Sequence, residues 1–141
     1  MNSFHILLKS NTFNEIHNEF GDKVGFFDYT ICNNASMFPV SFKYSSGICY
    51  YISQIKGFAW PVAYLNRIEI SEKRRGYGTR GLELFYSKIQ DQNCSLCMLR
   101  VGWENPQDEE YNRIWYERRS WKLLNDAPPW KKPLYLMYKW I

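Results

Sequence analysis

The sequence predicts an α+β fold of three layers, in which a central mixed, mostly antiparallel sheet is flanked by helices and contains one β-α-β crossover. Short apolar runs separated by turn residues fill the first half of the chain, which is typical of an antiparallel meander. A strand pattern at 64–71 leads through a glycine-bearing turn into a helical pattern, and a near-continuously apolar run follows at 95–103. The length of 141 residues fits one domain, residues 1–141.

The first half is predicted to contain one short helix among its strands. Apolar residues at helical spacing predict this helix, which Asn11 or Thr12 can cap and Gly21-Asp22 ends. Its apolar stripe comprises Phe13, Ile16, His17 and Phe20. Strands are predicted at residues 4–9, 24–31, 38–44, 48–55 and 64–71.

After the crossover, the sequence predicts a second helix and two strands. Asn105 as N-cap and Pro106 at the first helical position predict the start of this helix, which ends near residue 121. Its predicted core stripe comprises Tyr111, Ile114, Trp115 and Arg118. A short strand at 121–124 and a final strand at 134–141 follow, and the final strand offers an edge through which two copies could form a homodimer.

The excess positive charge of the chain lies in its second half. The formal net charge is +4, and residues 1–70 carry 5 basic and 5 acidic side chains. Residues 71–141 carry 13 basic and 9 acidic side chains, and several of the basic ones lie between 73 and 80. A basic segment of this kind suits a polyphosphate ligand or a nucleic acid.

The four cysteines are expected to be reduced thiols. The sequence contains no secretory signal pattern, and no window approaches the roughly 18 apolar residues of a membrane span, so a cytoplasmic protein without membrane association is expected. Cys94 and Cys97 have the spacing of half a zinc site, but no second half accompanies them. Because they lie in an apolar run, buried structural cysteines are favoured over a metal or redox pair, and no metal is expected.

The segment between the first strand of the crossover and its helix predicts an anion-binding site. It comprises Lys73, Arg74, Arg75, Gly76, Tyr77, Gly78, Thr79 and Arg80. Gly76 and Gly78 let the backbone approach a ligand closely, and the N–H groups of the first helical turn carry the positive end of the helix dipole. The helix over 79–91 then continues with Leu82, Phe85 and Ile89 at helical spacing. A diphosphate would suit this site.

Two common nucleotide motifs do not fit this loop, but a third pattern does. The loop lacks the Gly-Lys-Ser/Thr ending of a P-loop, and Gly81 completes a GxGxxG spacing without the second βαβ unit of a dinucleotide fold. The pattern [QR]-x-x-G-x-[GA] fits Gly76 and Gly78, with Lys73 in place of Gln or Arg. This pattern resembles the acetyl-CoA pyrophosphate loop of the GNAT superfamily of N-acetyltransferases, whose order of elements this chain shares.

The resemblance implies acetyl-CoA as co-substrate and assigns its contacts. The implied cofactor-binding residues are Ile68, Ile70, Lys73, Arg74, Arg75, Gly76, Tyr77, Gly78, Thr79, Arg80, Asn105 and Asn112. A backbone N–H near Ile70, in the strand before the loop, would stabilise the oxyanion. Asn105 follows the apolar Val101 at the family's spacing, or serves only as the helix cap.

A second resemblance assigns a catalytic tyrosine. The segment Trp115-Tyr116-Glu117-Arg118-Arg119-Ser120-Trp121 is similar to the GNAT pattern [FL]-Y-x-[KR]-x-G-[FW], with Ser120 in place of glycine. The resemblance implies that Tyr116 lies beside the CoA sulfur and protonates the leaving thiolate. Helical geometry adds that Tyr116 shares a face with Asn112, off the predicted core stripe, where it could face a groove. The alternative is an amphipathic surface tyrosine.

Glu69 is the candidate general base. It alternates with Ile68 and Ile70 and therefore points to the opposite face of their strand. A carboxylate there could neutralise the acceptor amine, or it could form a salt bridge; Glu104 is the second candidate. Four aromatic residues could line an acceptor pocket or belong to the core, namely Trp60, Tyr64, Trp103 and Trp130.

Three functions fit these features. The first is an acetyl-CoA-dependent N-acetyltransferase that moves an acetyl group to a primary amine by direct attack in a ternary complex; the acceptor, a small molecule or a protein, is not named by the sequence. The second is a non-catalytic protein of the same fold that binds acyl-CoA or a partner. The third is a nucleic-acid-binding module, whose phosphate contacts would be Arg74, Arg75, Arg80, Arg118 and Arg119.

Overall fold

The structure is a computed structural model that describes residues 12–38, 52–53, 55–71, 75–101, 106–124 and 136–141, with the backbone alone at 106–109. The sheet is built from β1 (Phe13–His17), β2 (Lys23–Cys32), β3 (Val62–Ile70), β4 (Leu96–Arg100), β5 (Lys122–Leu123) and β6 (Leu136–Trp140). The helices are α1 (Tyr77–Gln90), α2 (Pro106–Glu117) and a 3₁₀ helix (Ala35–Met37).

The strands lie in one mixed sheet in the order β1-β2-β3-β4-β6-β5. Neighbouring strands are antiparallel except β3 and β4, which run parallel because α1 connects them in a β-α-β crossover. The predicted fold class is therefore confirmed: a mostly antiparallel mixed sheet with helices and a crossover that carries the glycine loop.

Helix α1 packs its apolar stripe on one face of the sheet. Leu82, Phe85 and Ile89, the residues that predict this helix, are all buried. The Phe85 ring centroid lies 5.9 Å from that of Phe27 and 5.5 Å from that of Tyr29, both on β2. Because burial of each such side chain contributes about 1.5–3 kcal/mol, these contacts attach α1 firmly to the sheet.

A second cluster of buried side chains covers the opposite face of β3 and β4. Phe38 and Tyr64 are buried there, and Trp60 packs against them. The Phe38 ring centroid lies 5.6 Å from that of Trp60 and 6.2 Å from that of Tyr64. Of the two interpretations of Trp60 and Tyr64, the structure therefore supports core packing.

The helix predicted between residues 12 and 20 is wrong, because this segment forms strand β1. Its supposed apolar stripe is not buried as a unit: Ile16 is fully buried, whereas Phe20 is 80 % exposed. Pairing with β2 satisfies the backbone hydrogen-bonding groups of this segment. This gain outweighs the helical preference indicated by four residues at helical spacing. Gly21 then lies in the hairpin turn at φ 83°, where the Asn18 side chain accepts hydrogen bonds from the N–H groups of Phe20 and Asp22.

The strand predicted at 48–55 is contradicted where the structure describes it. Ile52 and Ser53 are helical, and the Ile55 N–H donates to the Ile52 carbonyl at 3.1 Å. Both Ile52 and Ile55 are buried in the cluster around Phe38. The apolar residues of this segment are therefore buried from a helical turn and not from a strand. Outside the described residues lie the strand predicted at 4–9, residues 39–44 of the strand predicted at 38–44, and residues 48–51 and 54 of the strand predicted at 48–55.

The final strand is covered along part of its outer edge by the two-residue strand β5. Strand β6 lies between β4 and β5, and Met137 and Tyr138 pair with the two residues of β5. The chain after α2 returns to the sheet at Trp121, which is 2 % exposed, and so covers the outer side of β6. The two predicted strands are present, and the homodimer assigned to the edge of the second stays a prediction.

The core stripe predicted for α2 is correct at Trp115 and wrong at Tyr111, Ile114 and Arg118, which are exposed. Tyr111 and Ile114 are 67 % and 37 % exposed, whereas Trp115 and Tyr116 pack against the cluster that contains Phe85. Among the described side chains of α2 and the turn after it, Trp115, Tyr116 and Trp121 make the contacts with the core, at the C-terminal end of the helix. The burial of Trp121, and not the spacing of apolar residues along α2, decides which face of the helix packs against the core.

Candidate active site

A β-bulge ends the pairing of the two parallel strands. The register of β3 against β2 skips Asn66, which is the extra residue of the bulge, and its Nδ2 donates to Oγ1 of Thr30 at 2.9 Å. The β3–β4 ladder ends at the pair Tyr64–Met98, directly before this bulge, although β3 continues to Ile70. Because a bulge bends its strand and increases the twist, β3 diverges from β4 and opens a cleft.

The backbone N–H groups of Ile68 and Ile70 point towards this cleft. The Ser71 N–H donates to the Val24 carbonyl at 2.8 Å and therefore faces β2. Since N–H directions alternate along an antiparallel ladder, those of Ile70 and Ile68 face away from β2. Among the strands that the structure describes, none pairs with β3 on that side beyond Tyr64. Two backbone donors thus line the cleft, and Ile70 is the residue expected to stabilise an oxyanion.

The start of α1 has the geometry of an anion-binding turn. Gly76 is the N-cap, with φ 78° and ψ 5°, and no side chain caps the first helical turn. The Arg80 N–H donates to the Gly76 carbonyl at 3.1 Å, and the first turn contains no acidic residue. The preceding N–H groups of the turn have no partner within α1 and can donate to a ligand, next to the exposed Arg75 and Arg80. Lys73 and Arg74 lie outside the described residues.

The other glycines of the loop are needed for packing. A Cβ on Gly78 would lie 2.9 Å from Cζ2 of Trp115, and one on Gly81 would lie 2.6 Å from Cδ1 of Ile16. A Cβ on Gly76 would meet nothing within 4 Å, so only its positive φ requires glycine there. Tyr77 is 9 % exposed and points into the core, so it can reach a ligand at this loop only through its backbone.

Tyr116 lies in an aromatic cluster at the end of α2. Its ring centroid is 5.0 Å from that of Trp115 and 5.6 Å from that of Trp121, both in edge-on geometry. Burial raises the pKa of the Tyr116 phenol well above its usual value, and the positive charge of Arg119 opposes this in part. Within the described part of the chain its hydroxyl has no hydrogen-bond partner. The phenol is therefore protonated at neutral pH and able to donate; Asn112, one turn earlier, is exposed.

Glu69 lies on the face of β3 opposite to Ile68 and Ile70, as the alternation predicts. Its Oε1 accepts a hydrogen bond from Nε of Arg67 at 2.9 Å, so the salt bridge considered for it is present. Both side chains are more than half exposed, and such a pair contributes little to stability, about 0–1 kcal/mol. Glu69 also lines an open groove of about 300 Å³ together with Lys23 and Phe26. Glu104, Asn105, Trp103 and Trp130 lie outside the described residues.

Comparison with known proteins identifies the fold. No family model and no curated protein sequence matches the chain. Among solved structures, Naa20 of Chaetomium thermophilum in complex with a bisubstrate analogue aligns with a TM-score of 0.56 and 12 % identity, over 90 % of this chain and 64 % of that one. Tetrahymena GCN5 gives 0.52 and 14 % over 90 % and 66 %, and a GNAT-family acetyltransferase of Listeria monocytogenes gives 0.50 and 16 % over 89 % and 62 %. The chain has the GNAT fold.

The likeness to these GNAT structures is one of fold. The chain spans less than two thirds of each of the three, at 64 %, 66 % and 62 % of their lengths. At these identities the shared architecture fixes where the crossover, the loop and α2 lie relative to one another, while function must be argued from the side chains present.

The turn after α2 has the conformation that the GNAT pattern reserves for glycine. Ser120 has a φ of 70°, and its N–H donates to the Glu117 carbonyl at 3.0 Å. The Trp121 N–H donates to the Tyr116 carbonyl at 3.1 Å, and the rings of these two residues touch. This is a Schellman turn with its usual apolar contact, so the serine keeps the tight turn at the cost of a left-handed backbone.

Replacing Ser120 with glycine is expected to stabilise the protein by about 1 kcal/mol, because glycine adopts a positive φ without strain. Urea unfolding at neutral pH measures the change as a higher midpoint with an unchanged m value. Ser120→Ala is the matched control, since alanine keeps the strain and should give no gain. An equal gain from both variants would show that loss of the hydroxyl, and not relief of the backbone, is responsible.

Sequence reasoning missed two residues of this GNAT fold site. Asn66 creates the bulge, but a bulge depends on cross-strand register, and no signal in β3 alone marks it. The sequence assigns Arg119 only a phosphate contact in the nucleic-acid alternative. In the structure it joins the two motifs: its Nε donates to Thr79 Oγ1 at 3.1 Å, and its guanidinium lies 3.7 Å from the Trp115 ring centroid. The sequence signal for this role is that Arg119 lies inside the GNAT-like pattern, one residue before Ser120.

Cys94 and Cys97 are buried free thiols, as expected of structural cysteines. Burial raises the pKa of both thiols, which makes them poor nucleophiles. In the described ranges, no group of three or more His, Cys, Asp or Glu side chains could hold a metal ion. Nor does any described helix have the length and apolar character needed to span a membrane.

Proposed function

We propose that this protein is an acetyl-CoA-dependent N-acetyltransferase that moves the acetyl group to a primary amine in a ternary complex. One observation carries the proposal: in a GNAT fold, the uncapped start of α1 at Gly76 lies directly after a strand that diverges from its parallel neighbour. The first feature suits a pyrophosphate, and the second suits the pantetheine arm and its thioester. The neighbour from Chaetomium was solved with a bisubstrate analogue, which supports simultaneous use of two substrates on this fold.

In the proposed reaction, backbone groups hold acetyl-CoA and polarise the thioester. The N–H groups at the start of α1 bind the pyrophosphate, with Lys73, Arg74, Arg75 and Arg80 supplying positive charge. The N–H of Ile70, which points towards the cleft, stabilises the oxyanion that forms when the amine attacks the thioester carbon. The backbone of Ile68 holds the pantetheine arm. Asn105 and Asn112 are the further cofactor contacts assigned by the resemblance.

Two side chains are proposed to move protons. Glu69 takes a proton from the acceptor ammonium, directly or through a water, so that the nitrogen lone pair can attack. The carbon–sulfur bond then breaks, and the Tyr116 hydroxyl gives its proton to the departing thiolate. The nitrogen of the adduct loses its second proton, which passes through water to the Tyr116 phenolate and restores the phenol, while the proton on Glu69 leaves to solvent. The products are the N-acetylated amine and free CoA. The ion pair with Arg67 requires Glu69 to exchange partners when the amine arrives, which its exposure permits.

Calorimetric titration with acetyl-CoA tests the proposal on wild type and on Gly76→Asp. The variant places a carboxylate where the pyrophosphate should bind, so like-charge repulsion is expected to weaken binding at least tenfold, by about 1.4 kcal/mol or more. Gly21→Asp is the matched control, because Gly21 and Gly76 have φ of 83° and 78° and neither has an atom within 4 Å of an added Cβ. The control carries the same backbone strain far from α1.

Micromolar binding by wild type and Gly21→Asp, lost in Gly76→Asp, is the expected result. An absence of binding by folded wild-type protein would overturn the proposal and leave the nucleic-acid alternative, which predicts oligonucleotide binding with a steep salt dependence. Binding without acetyl transfer to any amine in a broad panel would instead support the non-catalytic alternative. The ion pair between Glu69 and Arg67 favours testing the non-catalytic alternative, because it occupies the carboxylate that is proposed as the general base.

A further inference from the structure

An open groove lies beside Glu69, on the face of the sheet that α1 does not cover. Phe26 and Glu69 are directly opposite each other in the ladder between β2 and β3, and both line the groove together with Lys23. Arg67 lies two residues before Glu69 on the same face, and its guanidinium binds the Glu69 carboxylate. The groove thus combines an aromatic ring with charges of both signs, and the proposed reaction uses only the carboxylate.

Both cations of this groove lie close to the Phe26 ring, and each is held by one carboxylate. The ring centroid is 5.3 Å from Cζ of Arg67 and 5.8 Å from Nζ of Lys23. Glu69 binds Arg67. Oε2 of Glu15 lies 3.2 Å from Nζ of Lys23. The four charged side chains are roughly half exposed, and ion pairs between such side chains separate at little cost, so these groups can change partners when a ligand enters.

A simple amine in this groove would leave a cation without its carboxylate. In the proposed reaction the acceptor ammonium takes Glu69, which releases Arg67. The released guanidinium then lies near the same ring as the Lys23 ammonium, and the two positive charges repel each other. Asp28 is opposite Arg67 in the ladder, but its Oδ1 already accepts a hydrogen bond from the Thr12 hydroxyl at 3.0 Å. An acceptor that brings an anion of its own would pair with the released guanidinium instead.

The contact between the two side chains limits how far apart the charges of such an acceptor can be. Nε of Arg67 lies 2.9 Å from Oε1 of Glu69, so the two ligand groups that replace this contact must also be close together. In an α-amino acid, a single carbon separates the ammonium from the carboxylate. The ammonium can therefore bind Glu69 while the carboxylate binds the planar fork of Arg67. The Phe26 ring, with Phe13 stacked on it at 5.0 Å between centroids, offers an apolar surface for the amino-acid side chain.

We propose that the acceptor is an α-amino acid with an apolar or aromatic side chain, whose carboxylate binds Arg67 when its amino group displaces Arg67 from Glu69. The inference rests on the proposed function, since it names the acceptor class of that reaction. The bonds that form and break are those of the proposed reaction, and the product is an N-acetyl amino acid. Because the nitrogen of the product carries no charge, Glu69 is free to bind Arg67 again, which favours release of the product. Arg67 is thus a specificity-determining residue.

Acetylation of amino acids and of the amines that lack only their carboxylate tests the inference. Phenylalanine is paired with phenethylamine, and leucine with 3-methylbutylamine. Wild type is expected to show kcat/KM at least about fivefold higher for the amino acid of each pair, because its carboxylate gains a charge-assisted contact with Arg67. The difference should lie mainly in KM, since this contact is the same in the ground state and the transition state.

Arg67→Gln should reverse the preference. KM for the amino acids is expected to rise several-fold, whereas KM for the amines should stay the same or fall, because Glu69 is then uncovered. A loss of fold would move both in the same direction. Arg67→Lys, which keeps the charge but not the fork, should retain part of the preference. Arg113→Gln is the matched control: it breaks an arginine–glutamate pair with Glu117 on α2 and should keep the full preference.

The outcomes separate this inference from the proposed function. Equal acetylation of both members of each pair, or a preference for the amines, would overturn the acceptor class and leave the acetyltransferase proposal intact. A full preference for the amino acids in Arg67→Gln would also overturn it. If wild type acetylates no amine or does not bind acetyl-CoA, phenylalanine and leucine are titrated into the free protein. Binding that Arg67→Gln abolishes then supports the groove as an amino-acid site, and no binding rejects it.

Discussion

Replacing Tyr116 with phenylalanine is expected to lower kcat for acetyl transfer by about 100-fold or more. The hydroxyl is the group proposed to protonate the CoA thiolate, and within the described residues no hydrogen bond engages it. Phenylalanine retains the ring contacts with Trp115 and Trp121, at 5.0 and 5.6 Å, so the fold and the affinity for acetyl-CoA should be preserved. Release of free CoA, followed with a thiol reagent and an accepted amine, gives the rate.

Tyr29→Phe is the control for this experiment. Tyr29 is buried on β2, and its hydroxyl accepts a hydrogen bond from Gln92 at 2.9 Å, so this variant loses a structural hydroxyl away from the cleft. Its stability should fall by about 1 kcal/mol while its kcat stays near that of wild type. If Tyr116→Phe keeps kcat within a factor of about three, the thiolate takes its proton from another source, and Tyr116 has only a packing role.

The protein is expected to lose stability steeply as the pH rises above about 10, because buried tyrosines keep their protons in the native state at a pH where the unfolded chain loses them. Burial raises the pKa of Tyr64 to about 12, and it raises the pKa of Tyr86 and Tyr116 further in the same direction. A raised native pKa means that the native state holds its proton more tightly than the unfolded chain. The contribution of each buried phenol to the free energy of unfolding is complete below the unfolded pKa of about 10. It is lost as the pH rises from there through the native pKa.

Each of these tyrosines should remove about 1.4 kcal/mol per pH unit in that window. Urea unfolding at several pH values between about 8 and 11 measures the slope, and ultraviolet absorbance follows the phenols directly. Tyr64→Phe provides the comparison, because one of the contributing groups is then missing and the slope should be shallower by one tyrosine. Stability that stays constant to pH 11 would mean that these phenols ionise in the native state.

The parts of the fold that the sequence predicts correctly are those whose signals are local. Leu82, Phe85 and Ile89 fix the buried face of α1 because their spacing alone decides it. Gly76 could likewise be assigned from its place between a strand and a helix, since a positive φ is a property of one residue. The candidate anion site follows from these two local facts.

The errors arise where contacts distant in sequence decide the outcome. Ile16 fits a helical stripe and an alternating strand equally well, and only pairing with β2 selects the strand. Ile114 was assigned to the core because it extends an apolar period, but the anchoring of Trp121 turns that face to solvent. For the same reason Arg119 could not be connected to Thr79, which lies forty residues earlier.

The bulge at Asn66 has a further consequence, because it shifts the phase of β3. Before the bulge, the odd-numbered Ala63 and Leu65 face α1; after it, the even-numbered Ile68 and Ile70 do. Deletion of Asn66 would restore an unbroken alternation, with Leu65, Ile68 and Ile70 on the α1 side and Arg67 and Glu69 on the other. The strand would lose only the bulge, and with it the bend that separates β3 from β4. Such a deletion would therefore close the cleft without disturbing the core face of β3, which restricts how homologous chains can vary in length between Tyr64 and the loop.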